Sequence, residues 1–260
     1  MKLFLSKEGN REQARQLTEE LGAVLFMAEE TADNDAETLE ELHLRLDADG
    51  LSLVDGDLSM RGDFAKLLPR VIKGRLAGEM LVKAAKRKNF GERSVLIDAT
   101  AGMGEDSFLL AAAGFEVHMY EYDPIIAALL EDTLKRAMED PELCDIAGRM
   151  KLYKEDSIRA LSGREEKVDV VLLDPMFPER QKSALIKKKF QLLQQLERPC
   201  SDEEELFRAA MEAGPKKIII KRPLKGPFLA GRKPDYSLTG KAIRYDCIVL
   251  ARAESESAEG

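Results

Sequence analysis

A chain of 260 residues, 44% hydrophobic and 34% charged, can bury a sizeable core and has the composition of a folded globular protein, not a disordered one. No uninterrupted apolar run approaches the roughly 20 residues that cross a bilayer. Three widely spaced cysteines (Cys144, Cys200, Cys247) argue against a disulfide framework, and only two histidines (His43, His118) against a Cys/His zinc site. The expectation is a cytoplasmic protein with no metal and no membrane contact. The net charge of −8 argues at first against a nucleic-acid partner, but the charge is segregated. Residues 1–60 carry 15 acidic and 5 basic side chains, residues 61–93 carry 10 basic and 3 acidic, and residues 214–244 carry 9 basic and one acidic. Local fields, not totals, attract phosphate.

In chain order, residues 2–6 read as a short strand instead of a secretory leader, followed by a helix over 7–21 and a strand over 23–28. Residues 33–41 are acidic and read as a solvated loop or short helix. Leu42, Leu44 and Leu46 alternate up to the turn Ala48-Asp49-Gly50, then Leu51 and Leu53 alternate again, which predicts a hairpin. These elements make a small acidic α/β unit, residues 1–60. From 64 to 88 the period becomes helical, with Leu68, Val71, Ile72, Leu76, Met80, Leu81 and Ala84 on one stripe and Arg70, Lys73, Lys83 and Arg87 off it, so residues 61–93 read as a basic connecting helix.

Strands then alternate with helices through residues 94–260. Strands are expected at 94–98, 116–121, 150–154, 168–174, 217–221 and 245–251. Helices are expected at 106–113, 125–139, 157–161, 183–197 and 203–213. This pattern predicts an α/β fold with a parallel sheet covered on both faces and an antiparallel last strand.

Ligands of such sheets bind beyond the carboxyl ends of the strands. The first strand ends at Asp98 and opens into Ala99-Thr100-Ala101-Gly102-Met103-Gly104-Glu105-Asp106. Gly102 and Gly104 would let the backbone turn and approach a ligand that a Cβ would block. Glu121 ends the second strand, suited to ribose hydroxyls. Asp156 follows the third, suited to an adenine amino group, with Ser157 beside it as a possible helix cap. A nicotinamide dinucleotide would want a third glycine where Ser107 stands, and would place its pyrophosphate against Glu105 and Asp106. A sulfonium ligand with an ammonium group suits those carboxylates better, which selects S-adenosylmethionine.

The fourth strand exits into Asp174-Pro175-Met176-Phe177-Pro178. The Asp174 carboxylate and the Pro175 carbonyl are acceptors for the two protons of a planar amine, and Phe177 offers a stacking face. The stretch beyond is mostly basic, with Lys182, Lys187 and Lys188. Lys216, Lys217, Lys221, Arg222 and Lys225 add charge around the next strand. A nucleic-acid backbone would need that field, whereas a small amine would not.

Asp174-Pro175-Met176-Phe177-Pro178 with Gln181-Lys182-Ser183-Ala184-Leu185, Asp98-Ala99-Thr100-Ala101-Gly102, Asp123-Pro124 with Ala127-Ala128-Leu129-Leu130, and Lys221-Arg222-Pro223 resemble the ribosomal small subunit methyltransferase J family. The resemblance runs from about residue 98 to 249, and more loosely back to 78–84. It implies a class I, Rossmann-like methyltransferase fold and S-adenosylmethionine as donor, placed against Glu105-Asp106, Glu121-Tyr122, Asp156-Ser157 and Asp174. It implies as acceptor the N2 amine of a guanine near the 3′ end of 16S rRNA, free or in the small ribosomal subunit, with Met176, Pro178, Lys182, Lys187, Lys188, Lys221 and Arg222 on the substrate side. The chain departs from the family pattern at Glu105, Tyr122 and Asp156, and its first sixty residues match least. An N-methyltransferase of DNA or of a small amine, and a non-catalytic RNA-binding module on the same fold, are the alternative readings.

Overall fold

The computed structural model describes residues 1–27, 41–72, 74–86, 94–164, 166–175, 192 and 203–250. The sequence-predicted helix over 183–197 and most of the acidic segment 33–41 lie outside these residues.

The chain opens with a βαβ unit. Strand β1 (Lys2–Leu5) leads to helix α1 (Arg11–Leu21) and to β2 (Val24–Met27), which pairs parallel to β1. Asn10 caps α1 by accepting from the backbone N–H groups of Glu12 and Gln13, and Gly22 ends it in the left-handed region at φ 58°. The predicted hairpin follows as β3 (His43–Asp47) and β4 (Gly50–Asp55), with β5 (Leu58–Met60) beyond it in a sheet of order β2-β1-β3-β4-β5. Leu3, Leu5, Leu44, Leu46, Leu51 and Leu53 point to one face by the two-residue period of strands and are almost fully buried. Each such side chain contributes about 1.5–3 kcal/mol on burial.

Residues 61–93 do not form one helix. Phe64–Leu67 is a 3-10 turn running into α2 (Leu68–Val71), Leu76–Gly78 is another, and α3 (Met80–Ala85) closes the described part. Of the predicted apolar stripe, Leu81 and Ala84 reach the core and Leu68, Val71 and Met80 pack partly against it, whereas Ile72 is 56% exposed. Gly74 at φ 95° and the extended backbone of Ile72 and Glu79 turn the chain between the pieces.

The main sheet has seven strands, β6 (Val95–Asp98), β7 (Glu116–Tyr120), β8 (Met150–Tyr153), β9 (Val170–Leu173), β10 (Lys217–Pro223), β11 (Tyr236–Thr239) and β12 (Ile243–Val249), in the order β11-β12-β10-β9-β6-β7-β8. The five strands from β8 to β10 are parallel, and β12 runs antiparallel to β10 as expected. Strand β11, antiparallel to β12, was not anticipated. Leu96, Val170, Leu172 and Ile219 face α3, α4 (Glu105–Ala112) and α5 (Pro124–Glu139). Ile97, Val171, Leu173, Ile218 and Ile220 face α7 (Ser157–Leu161) and α8 (Glu203–Glu212), and the short α6 (Cys144–Ala147) precedes β8. Strands sandwiched in this way read as continuous apolar runs.

Helix α5 joins the two sheets, which explains why its Ala127-Ala128-Leu129-Leu130 run is apolar all round. Leu130 packs on the seven-stranded core, and Ala128 and Leu129 on the five-stranded one. Asp132 makes the joint polar as well. Its buried carboxylate accepts from Leu51 N–H (3.0 Å), Gln13 Nε2 (2.8 Å) and Arg136 Nε (2.9 Å), while Arg136 also donates to the Gly62 carbonyl (2.7 Å). No helix among the described residues is long and apolar enough to cross a membrane.

Candidate active site

Strand order reverses between β6 and β9, and the carboxyl ends of these strands and their neighbours form the crevice where α/β sheets bind ligands. Asp98, the last residue of β6, is buried. It accepts from Ser107 Oγ at 2.6 Å and from the Thr100 N–H at 3.2 Å. Burial pushes its carboxyl up to about 7, against the pull of these two hydrogen bonds. Ser107 occupies the place where a dinucleotide fold would want glycine, and its hydroxyl ties α4 to the strand end.

Gly102 adopts φ 53° and donates its N–H to Glu121 Oε2 at 3.0 Å. Glu121, buried just beyond β7, also accepts from the Asp123 N–H at 2.9 Å. Burial raises its pKa above the usual carboxylate range, with the backbone donors opposing. Gly104 has a different reason from the one expected. At φ 74° it starts α4, and a Cβ there would lie 2.7 Å from Leu130 Cδ1 and 3.3 Å from Phe64 Cζ. Its missing side chain makes room for the protein core, not for a ligand.

On the other side of the switch, the Asp174 N–H donates to Thr100 Oγ1 at 2.7 Å, which fixes the exit of β9 to the glycine loop. Lys221 sits between two carboxylates, 2.6 Å from Asp106 and 2.9 Å from Asp174. Burial alone would lower its pKa, but the two carboxylates overcome that and hold the ammonium above the ordinary lysine range. Tyr245 of β12 lies against this cluster, and burial together with the Asp106 charge pushes its phenol well up. Pro175 is buried beside Asp174.

Contacts through Thr100 and Lys221 therefore join Asp98, Asp174 and Asp106, and the Gly102–Glu121 pair stands beside them on the same loop. Asp156 stands at the next strand end, where its Oδ1 caps α7 through the Ile158 N–H at 2.9 Å. The cap thus belongs to Asp156 and not to Ser157, which is buried in the first turn. Glu105 and Tyr122 are exposed at the mouth. Met176, Phe177, Pro178, Lys182, Lys187 and Lys188 lie outside the described residues.

Two expectations for the basic run around β10 do not hold. Arg222 is fully buried, donating from Nε to the Pro227 carbonyl (2.8 Å) and facing Glu203 at 3.3 Å, so it cannot meet a phosphate. Lys217 is buried on the Ala84 carbonyl at 2.5 Å, and Lys216 pairs with Asp169. Lys221 serves the carboxylates instead of an outer backbone. Thr100, Ser107 and Tyr245 are site residues to which the sequence reading gave no role. A hydroxyl at a strand exit was the available signal for Thr100, whereas Ser107 behind Glu105-Asp106 and Tyr245 between Arg244 and Asp246 stood in polar company.

The donor set suits a cation. Asp98, Asp106, Glu121 and Asp174 outnumber Lys221, and no arginine or lysine contact to the glycine loop is present among the described residues. A pyrophosphate would be repelled there, whereas a sulfonium with an ammonium group is attracted. No group of side chains able to hold a metal occurs among the described residues.

The family model described as "Putative SAM-dependent methyltransferase" matches residues 29–250. A relative from Pseudomonas aeruginosa (strain LESB58), named ribosomal RNA small subunit methyltransferase J, is 40% identical over 92% of this chain and 90% of its own. A relative of the same name from Stutzerimonas stutzeri (strain A1501) is 44% identical over 65% of this chain and 66% of its own. Among solved structures, a SAM-dependent methyltransferase from Neisseria gonorrhoeae superposes with a TM-score of 0.74 at 27% identity, over 100% of both chains. The acidic crevice, the strand order and these matches agree: the chain is an S-adenosylmethionine-dependent methyltransferase of class I, Rossmann-like fold, and it belongs to the ribosomal RNA small subunit methyltransferase J family.

Proposed function

We propose that the protein methylates the exocyclic N2 amine of a guanine in 16S rRNA, free or within the small ribosomal subunit. One observation carries the reading: Asp174 is held from two directions, by Thr100 and by Lys221, at the strand exit beside the donor crevice. S-adenosylmethionine, when bound, supplies an electrophilic methyl group. Asp98, Gly102 and Glu121 would hold it with Asp156 and Ser157, and Glu105, Asp106 and Tyr122 would border it.

The acceptor amine is a weak nucleophile because its lone pair is delocalised into the ring. Asp174 and the Pro175 carbonyl are placed to accept its two protons, which fixes the nitrogen in line and favours pyramidal geometry. No strong base is needed, since the proton becomes acidic only once the methyl is transferred. Phe177 is assigned to stacking on the base, with Met176 and Pro178 flanking it and Lys182, Lys187 and Lys188 on the backbone. Because the amine of a paired guanine is engaged in a duplex, the target base is unstacked or in a loop. The cytoplasm, where ribosomal subunits assemble, is the corresponding location.

Transfer of radiolabelled methyl to unmodified 30S subunits and to naked 16S rRNA tests this. Label recovered as N2-methylguanosine is the expected result. Absence of label in both substrates, with donor binding intact, would move the search to DNA and small amines.

A further inference from the structure

A cavity of about 300 Å³ lies between the broken segment after the first sheet and the last strand, lined by Arg70, Arg75, Glu79, Met80, Ile243 and Tyr245 among others. That is the lower end of the size range of small-molecule pockets. Tyr245 is its wall towards the cluster of Asp106, Lys221 and Asp174, yet none of those three lines it. Whatever fills the cavity therefore lies next to the amine that Asp174 would hold, not on it. Met80, Leu81 and Ile243 give it apolar surface, and Tyr245 adds an aromatic ring.

The charge of its lining comes down to one residue. Arg70 and Glu79 neutralise each other through a two-pronged contact, Nε to Oε1 and Nη2 to Oε2, both 2.9 Å. Arg75 is exposed, and its hydrogen bond among the described residues is a long one, from Nη1 to the Pro69 carbonyl at 3.3 Å. An aromatic-and-apolar pocket with one net positive charge at its rim, a single step from the reacting amine, matches one nucleotide: base inside, phosphate at the rim.

Building on the RNA reading above, we infer that this cavity receives a nucleotide adjacent to the acceptor guanine on the same RNA strand, with Arg75 contacting its phosphate. The cavity then holds the strand splayed and carries the target base towards Asp174. An aromatic face and a phosphate contact give such a subsite little preference among bases.

The test compares wild type with Arg75→Glu and Met80→Trp, measuring KM and kcat on unmodified 30S subunits, S-adenosylmethionine Kd by calorimetry, and binding of a fluorescently labelled single-stranded RNA. Arg75 is exposed, so its substitution spares the fold. Arg75→Glu should raise KM and RNA Kd about tenfold, leave kcat and donor Kd unchanged, and flatten the dependence of log Kd on log salt by about 0.7 to 1, the loss of one phosphate contact. Met80→Trp, which fills the cavity, should weaken RNA binding without changing the salt slope. RNA affinity unchanged in Arg75→Glu, or a donor Kd weakened in parallel, would overturn the inference, the latter by giving the cavity to the donor. A wild-type enzyme that binds RNA but leaves 30S subunits unmethylated would sink the proposed reaction. The RNA-binding arm would still decide the role of the cavity.

Discussion

The two halves of the crevice hold their carboxylates by different means. On the β6–β7 side, Asp98 and Glu121 are held by backbone N–H groups and the Ser107 hydroxyl, with no cation in contact among the described residues. On the β9–β10 side, Asp106 and Asp174 share Lys221, and Glu79 nearby is matched by Arg70. In the first half burial, opposed by its hydrogen-bond donors, raises the pKa of Asp98 and Glu121, and acids with no cation beside them among the described residues suit a cationic ligand. The second half sets a cation between its two carboxylates, which leaves a single net negative charge there.

This contrast is sharpest in pH dependence. A carboxyl pushed up to about 7 in the folded state contributes stability, relative to an ordinary aspartate, that is fully present below the unfolded pKa near 4. It is lost as pH rises through about 7. Asp98→Asn keeps an acceptor oxygen for the Thr100 N–H, presents an amide N–H to the Ser107 hydroxyl, which can accept, and does not titrate. Denaturant unfolding at several pH values should show the variant gaining on wild type by up to about 4 kcal/mol between pH 4 and 8. A constant difference across that range would mean Asp98 is not the strained acid of the donor half.

Next in size is the clamp. Asp174→Ala should lower kcat about 100-fold or more, the cost of losing one oriented group at the reacting atom, while S-adenosylmethionine Kd stays within about threefold. If kcat falls and the donor Kd rises together, Asp174 belongs to the donor half and the division is wrong. Lys221→Met should cost less, about tenfold in kcat, because it acts through Asp174. With the ammonium gone, Asp106 and Asp174 repel each other, so Lys221→Arg, which keeps a cation between them, should recover much of kcat. A variant that merely loses stability would not be rescued by restoring the charge.

The donor half was the more legible of the two. Asp98 and Glu121 announce themselves because they stand at the ends of strands, where such sheets bind, and Gly102 because it sits in the loop that follows the first of them. The acceptor half was misread because a run of basic residues carries no information about direction. Arg222 is absorbed by Pro227 and Glu203, Lys216 by Asp169 and Lys217 by Ala84, and all of these but Pro227 are distant in sequence. The long helix expected over 64–88 failed for a similar reason. Its apolar stripe reports what must be buried, which Leu81 and Ala84 satisfy and Ile72 does not, and Gly74 and the turns around it decide that the chain reaches the core in short pieces. Strand β11 contributes no fully buried side chain at all, so its sequence had no core signal to read.

The smallest effect separates stability from binding within the acceptor half. Arg70 and Glu79 keep 44% and 24% of their side-chain surface exposed, so their pairing is worth less than about 1 kcal/mol to folding. Arg70→Ala should therefore leave the unfolding midpoint almost unchanged. It also strips the neutralising partner from Glu79 at the cavity wall, leaving a carboxylate where the RNA strand is to pass. The expected result is weaker binding of single-stranded RNA, by about threefold to tenfold at low salt, closing towards wild type as salt screens the charge. Arg70→Ala combined with Glu79→Gln should recover most of that affinity. Recovery ties Arg70 to charge balance, whereas an affinity loss that persists in the double variant would make the Arg70 guanidinium itself a phosphate contact.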